Sequence, residues 1–181
     1  MADRAARPDP PTVARVLEER AHALARPLRG EVSGEMVELV VLAVGPERYG
    51  LDTRHVVEVQ ALSGLARVPG LPAVWAGIVN LRGTLWPVLD LRRFLSLPEP
   101  GEPAGPRKVA LVAGAGLTVG LLVDDALGTA RIPVSRIGPP LMGVSGATRG
   151  EVRGVTADLL TVLDVETLLA DPGLVVREES A

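Results

Sequence analysis

The run Gly77–Leu95, GIVNLRGTLWPVLDLRRFL, reads as two apolar strands hinged on a charged turn and followed by a short helix. In an extended chain Ile78, Asn80 and Arg82 share one face, and Val79 and Leu81 share the other. Gly83 stands where a tight hairpin needs a positive φ, and Leu85–Leu89 returns apolar. Pro87 has no N–H to donate, which predicts an edge position or a bulge for the second strand. Arg82 is thereby held at the tip of a rigid two-stranded element, an arrangement suited to docking and not to cleaving a bond.

This stretch is half of an internal repeat. Leu85–Leu95 (LWPVLDLRRFL) returns 74 residues later as Leu159–Leu169 (LLTVLDVETLL), with a Val-Leu-Asp core in each copy. Leu39–Leu51 (LVVLAVGPERYGL) has its counterpart in Val109–Leu121 (VALVAGAGLTVGL), displaced by 70 residues. Each of this second pair is an apolar strand, a turn of Gly, Pro or polar residues, and a Gly-Leu return strand. Two matches at nearly one offset predict two similar lobes in place of one irregular sheet.

With 181 residues, 47% of them apolar, the chain can bury a core as one domain or as two closely packed lobes. The net charge of −3 is weak and the basic residues are scattered, which argues against a nucleic-acid surface. Lys108 is the single lysine beside eighteen arginines, a bias typical of a GC-rich genome. The absence of cysteine excludes disulfides and thiolate metal sites and fits a reducing compartment. No apolar run reaches the roughly 18–20 residues that span a bilayer. Met1–Pro10 lacks the apolar core of a signal peptide. A soluble cytoplasmic protein is the expectation.

Along the chain, residues 1–35 form an N-terminal extension that begins with a charged, Pro-rich stretch, Met1–Pro11, expected to be disordered. Thr12 can cap an amphipathic helix over about 12–26, which Pro27 stops. Val13, Val16, Leu17, Ala21 and Leu24 make its apolar stripe, interrupted by Arg20. Such a helix packs on its own domain or docks on a partner. From Met36 the pattern is β: strands at Val37–Val44, Tyr49–Leu51, Val56–Ala61, the pair around Gly83, Lys108–Ala113, Leu117–Val123, Val152–Val155 and Leu160–Asp164. The Pro/Gly/Glu stretch 97–106 is the expected join between a first lobe (about 36–97) and a second (about 107–175), with 176–181 as a tail. Many short strands separated by turns suggest small barrels.

Met36–Leu174 resembles the CheW-like domain of bacterial chemotaxis coupling proteins. The resemblance rests on NLRG at Asn80–Gly83 followed by PVLDLR at Pro87–Arg92, with YGLD (Tyr49–Asp52), Val56-x-Glu58 and VGLLVD (Val119–Asp124) in support. It implies a mainly β fold of two SH3-like five-stranded barrels, preceded here by the N-terminal helix. It also implies a non-catalytic adaptor without cofactor or metal, linking the cytoplasmic tip of a methyl-accepting chemoreceptor to the regulatory domain of a CheA-type histidine kinase. By the same resemblance Val56, Glu58, Arg82 and Gly120 line the receptor groove between the barrels, while Asn80 and Gly83 shape the turn of the signature. The family commonly carries bulky apolar residues where this chain has Ala126 and Thr129, which implies a shallower second wall. The other function considered is a CheW-fold module that binds one partner or senses a ligand in a non-flagellar pathway.

Each of these residues also has a plainer reading. Arg82 could brace Asp90 or Glu58 in an internal ion pair, and Glu58 could be a solvated strand residue. Asn80 suits a turn-stabilising amide, and Asp90, Asp124 and Asp164 suit capping positions. Catalytic readings fail on spacing. Gly114-Ala115-Gly116…Gly120 precedes a strand-like segment, and Arg136 stands where a dinucleotide fold needs an acid. Gly143-Val144-Ser145-Gly146 is one residue short of a nucleophile elbow. His22 and His55 are far apart in sequence, which argues against a compact metal or His-driven site.

Overall fold

The computed structural model describes residues 34–98, 105–140 and 150–174. The predicted helix over 12–26, residues 99–104 of the expected join and the tail 176–181 lie outside the described residues. Ten strands and two short helices follow in order: β1 (Met36–Val44), β2 (Glu47–Asp52), β3 (Val56–Ala61), β4 (Trp75–Leu81), β5 (Thr84–Asp90), α1 (Leu91–Phe94), β6 (Lys108–Gly114), β7 (Leu117–Val123), β8 (Asp125–Pro133), β9 (Val152–Val155), β10 (Leu160–Leu163) and α2 (Val165–Leu169).

They form two five-stranded sheets, ordered β8-β1-β2-β10-β9 and β3-β6-β7-β5-β4. Each is closed by a bridge from the chain beyond its first edge strand to its last strand: Ala66 pairs with Ile78, and Gly138 with Val155. The closure passes over a glycine in both. A Cβ on Gly77 would stand 2.1 Å from the Ala66 carbonyl oxygen, and one on Gly154 would stand 2.2 Å from that of Gly138. The fold is therefore a pair of small five-stranded barrels, as expected from the repeat and the resemblance.

The strands are not dealt out in sequence order, however. The first sheet takes hairpin β1–β2 from the first repeat and β8, β9 and β10 from the second; the other sheet takes β6–β7 from the second repeat and β3, β4 and β5 from the first. A division at 97–106 therefore separates neither sheet from the other. The reason is directional. β10 runs parallel to β2, and β5 runs parallel to β7. A tight turn cannot join parallel neighbours, so each hairpin finds its parallel partner elsewhere in the chain.

Apolar residues on both strand faces follow from this interlock. Leu39, Leu160 and Val162 fill the first barrel, and Val79, Val88, Val109 and Leu122 fill the second. Leu42, Leu51, Leu89, Val112, Leu121 and Leu163 share a third core with α1 and α2, drawn from both sheets. Adjacent residues thus serve different cores: Val88 faces the barrel interior and Leu89 the shared core. Val37–Val44 reads as nearly continuous in apolar residues because β1 has cover on both faces.

Two local expectations are corrected. β5 is an interior strand flanked by β4 and β7, and Pro87 is tolerated because the β7 ladder begins one residue later, at Val88. Strand β8 was not anticipated; its sequence DALGTARIP has no apolar alternation, and its eight paired positions on β1 supply what the pattern lacks.

Candidate functional site

The β4–β5 hairpin turns through Arg82 and Gly83, at φ 53° and 87°, the two positive values of a type I′ turn. Asn80 Oδ1 accepts the Gly83 N–H at 2.8 Å, which holds the turn, as its residue type suggested. Val79 and Leu81 are buried and Asn80 and Arg82 exposed, in the predicted alternation. Arg82 Nη2 lies 2.8 Å from Glu58 Oε2 on β3, so of the two acids weighed for Arg82 the structure pairs it with Glu58. β3 and β4 are opposite edges of their sheet, and the pair crosses the face where the barrel closes. The Arg82 side chain is 82% exposed, which leaves its guanidinium open to a further carboxylate or carbonyl and keeps the pair's own contribution to stability below about 1 kcal/mol.

Val56 opens β3, half-buried against the shared core. Between Val56 and Glu58 the register against β6 slips, so Val57 is the bulged residue and stands 59% exposed. A bulge re-aims a side chain and blunts an edge. Val57, Glu58 and Arg82 thus present an apolar group and two charges along one barrel edge. The bulge is invisible in a run of three apolar or charged residues, and Val57 was missed for that reason.

Gly120 is placed otherwise. It is buried in β7 between β5 and β6, where a Cβ would meet Val109 Cγ1 at 2.8 Å and Val88 Cγ2 at 3.3 Å. Its part in any groove is played through the side chains it admits. Ala126 and Thr129 lie on β8 opposite Leu42 and Val40 of β1, in the other sheet. Ala126 is half-buried against the shared core and Thr129 is exposed.

The charged residues around the chain's crossings between sheets are structural. Asp90 and Asp164 cap α1 and α2, accepting the N–H groups of Arg93 and Thr167. Asp124 caps no helix: its Oδ2 accepts Arg92 Nη2 at 2.6 Å and the Gly45 N–H of the β1–β2 turn. Lys108 of β6 pairs with Asp125 of β8 at 2.7 Å, and that hydrogen bond holds the Asp125 carboxyl below its usual range. Arg54 likewise depresses Asp52 through a hydrogen bond between their side chains.

A second apolar feature lies at an end of the first barrel. Leu159, at φ 60°, is 67% exposed, an unusual conformation for a bulky side chain. It borders a cleft of about 360 Å³ with Pro46, Arg48 and Val155. Among the described residues no group of three or more His, Asp or Glu is placed to hold a metal ion. No helix among them is long and apolar enough to cross a membrane.

Two interlocked barrels with exposed apolar side chains and an open ion pair along one edge have the form of a scaffold on which other proteins can dock. The comparisons agree. The CheW-like domain family matches residues 38–173, about three-quarters of the chain, and the chain belongs to this family of chemotaxis scaffolding proteins. It is similar to the chemotaxis protein CheW of Bacillus subtilis, 28% identical over 135 residues that cover 73% of this chain and 86% of that one. It is similar also to the protein FrzA of Myxococcus xanthus, 39% identical over 111 residues, covering 61% of this chain and 68% of the relative. The crystal structure of the scaffolding protein TtCheW from Thermoanaerobacter tengcongensis superposes with a TM-score of 0.66 at 26% identity, covering 77% of this chain and 96% of that one.

Proposed function

We propose that the chain couples the cytoplasmic tip of a chemoreceptor to the regulatory domain of a CheA-type histidine kinase, working as a non-catalytic adaptor in the cytoplasm at receptor arrays. The observation that carries this reading is the edge of the second barrel, where Arg82 sits on a rigid turn beside Glu58 with Val57 exposed. A helical receptor tip offers apolar residues to Val56 and Val57 and polar ones to the Glu58–Arg82 pair, which sets register. Gly120 contributes shape by letting Val88 and Val109 close beneath. The patch at Leu159, on the other barrel, supplies a separate apolar surface for the kinase domain. An adaptor needs two such surfaces so that one partner does not displace the other.

Calorimetry with the kinase regulatory domain and a receptor-tip fragment from the same organism tests the reading. The chain should bind each at an independent site. Arg82→Ala should weaken the receptor fragment roughly tenfold and leave the kinase domain bound as before. Its unfolding midpoint in urea should stay near wild type. A folded protein that bound neither partner would overturn the adaptor reading, and an Arg82→Ala protein that unfolded would return the arginine to a structural role.

A further inference from the structure

The β9–β10 turn is built in a way that the fold does not require. The Leu159 N–H donates to the Thr156 carbonyl oxygen at 3.0 Å, and the Thr156 N–H to the Leu160 carbonyl oxygen at the same distance. Leu159 closes this turn at φ 60°. A left-handed position after a hydrogen-bonded turn is one that glycine ordinarily fills, because a Cβ there crowds the following carbonyl. The leucine is therefore strained, and at 67% exposure it gains little from burial in return. The repeat supplies a control within the same chain. Leu85 is the equivalent residue of the other barrel and is similarly exposed, at 63%, but it lies inside β5 after a turn closed by Gly83. Strain of this kind, which the fold has shown it can avoid, collects where a chain binds something.

We propose that Leu159 is the anchor on which the kinase regulatory domain docks, and that the cleft beside it receives an apolar side chain of that domain flanked by a lysine or arginine. This rests on reading this barrel end as the kinase surface. The cleft, of about 360 Å³, has Pro46 and Val155 as apolar walls and is roomy enough for one large side chain. Its charges are uneven. Arg48 Nη2 is engaged by the Asp158 carbonyl oxygen, and Glu47 Oε2 accepts the Tyr49 hydroxyl. The Asp158 carboxylate is exposed and has no partner among the described residues. Glu47 and Asp158 thus outnumber Arg48 on the rim, which favours a cation beside the incoming apolar group. Arg48 also braces the turn from β2 before any partner arrives, so the backbone that carries Leu159 needs no ordering on binding.

Urea unfolding and calorimetry on the full chain separate the strain from the docking. Leu159→Gly should raise the folding equilibrium constant roughly threefold, because relief of the left-handed backbone exceeds the added chain entropy of glycine. The same variant should bind the kinase regulatory domain roughly tenfold more weakly. Leu159→Asn, whose short polar side chain tolerates this backbone, should follow it in both respects. Leu159→Met keeps the apolar group and the strain and should match wild type in both. Asp158→Asn should weaken the kinase domain roughly threefold and flatten the dependence of its affinity on salt. The receptor-tip fragment should bind all four variants as it binds wild type. A Leu159→Gly protein no more stable than wild type would overturn the strain, and one that held the kinase domain at full strength would overturn the anchor. Unchanged affinity in Asp158→Asn would overturn the cation beside the cleft. A wild-type chain that bound the receptor fragment but no kinase domain would defeat the reading of this barrel end, and the anchor with it, while the stability order would still decide the strain.

Discussion

Arg92 in α1 and Glu166 in α2 hold equivalent places in the repeat, 74 residues apart, and perform the same task with opposite charge. Each stands two residues after the aspartate that caps its helix and reaches the turn of a hairpin in the other sheet: Arg92 the β1–β2 turn through Asp124, Glu166 the β6–β7 turn through the Ala115 N–H. The two clasps differ in depth. The Arg92 side chain is 10% exposed and also donates to the Pro98 carbonyl oxygen at 2.9 Å, whereas the Glu166 side chain is 55% exposed. The lesson is that a pseudo-symmetric fold can hold equivalent turns by clasps of opposite charge, one nearly buried and one open to solvent. Arginine suits the first because its planar fork donates to Asp124 and to the Pro98 carbonyl at once.

The deepest break in that comparison should come from Arg92→Ala. Removing the guanidinium leaves the partly exposed Asp124 carboxylate with the Gly45 N–H, and takes a donor from the Pro98 carbonyl. With the arginine nearly buried and the aspartate partly exposed, the loss should be about 2 kcal/mol, below that for a fully buried pair. Glu166→Ala, at the exposed joint, should cost less than about 1 kcal/mol. Urea unfolding of the two variants measures the gap directly. Equal losses would mean that the joints are energetically alike and that burial does not distinguish them.

How much of this was legible in the sequence depends on the reach of each interaction. The β4–β5 hairpin was readable because its cause is local: a Gly at the second turn position, an Asn three residues earlier and alternating apolar residues. The caps Asp90 and Asp164 are local too. Strand β8 was not readable, since its small and polar residues become a strand only against β1. The Glu58–Arg82 pair was visible as one of two options, because which acid an arginine meets is decided by barrel closure and not by sequence neighbours. The repeat pointed to Arg92 and Glu166 as equivalents. Their partners Asp124 and His55 were hidden because the interlock brings them from the opposite repeat. Leu159 was read as part of a repeat motif; its exposure follows from a left-handed turn that no residue type there announces.

A finer difference separates the two barrel seams. Gly77→Ala places a methyl 2.1 Å from the Ala66 carbonyl at φ 141°, a backbone conformation that side chains disfavour. Gly154→Ala meets the Gly138 carbonyl at 2.2 Å without that backbone demand. Both substitutions overpack, at a cost of about 1–3 kcal/mol. Gly77→Ala belongs at the upper end of the range and Gly154→Ala below it. Thermal unfolding ranks them, and the reverse order would show that the second barrel yields at its seam more readily than the first.

The smallest expected effect is chemical. Tyr49 of β2 and Val119 of β7 are repeat equivalents, both buried in the shared core, but only the tyrosine can ionise. Burial chiefly, and then the hydrogen bond to Glu47 beside it, raise the phenol far above its ordinary range. Below about pH 10 the phenol is neutral in both folded and unfolded chains, and its contribution to stability is whole. Above that pH the unfolded chain ionises first, so stability falls as pH rises toward the folded-state value. Tyr49 is the only tyrosine of the chain, which makes phenolate absorbance a report on this site alone. The absorbance should rise together with loss of the far-ultraviolet β signal, and Tyr49→Phe should resist alkali better. Phenolate appearing in an intact fold would mean that β2 opens on its own, and the shared core would then be tighter on its β7 side than on its β2 side.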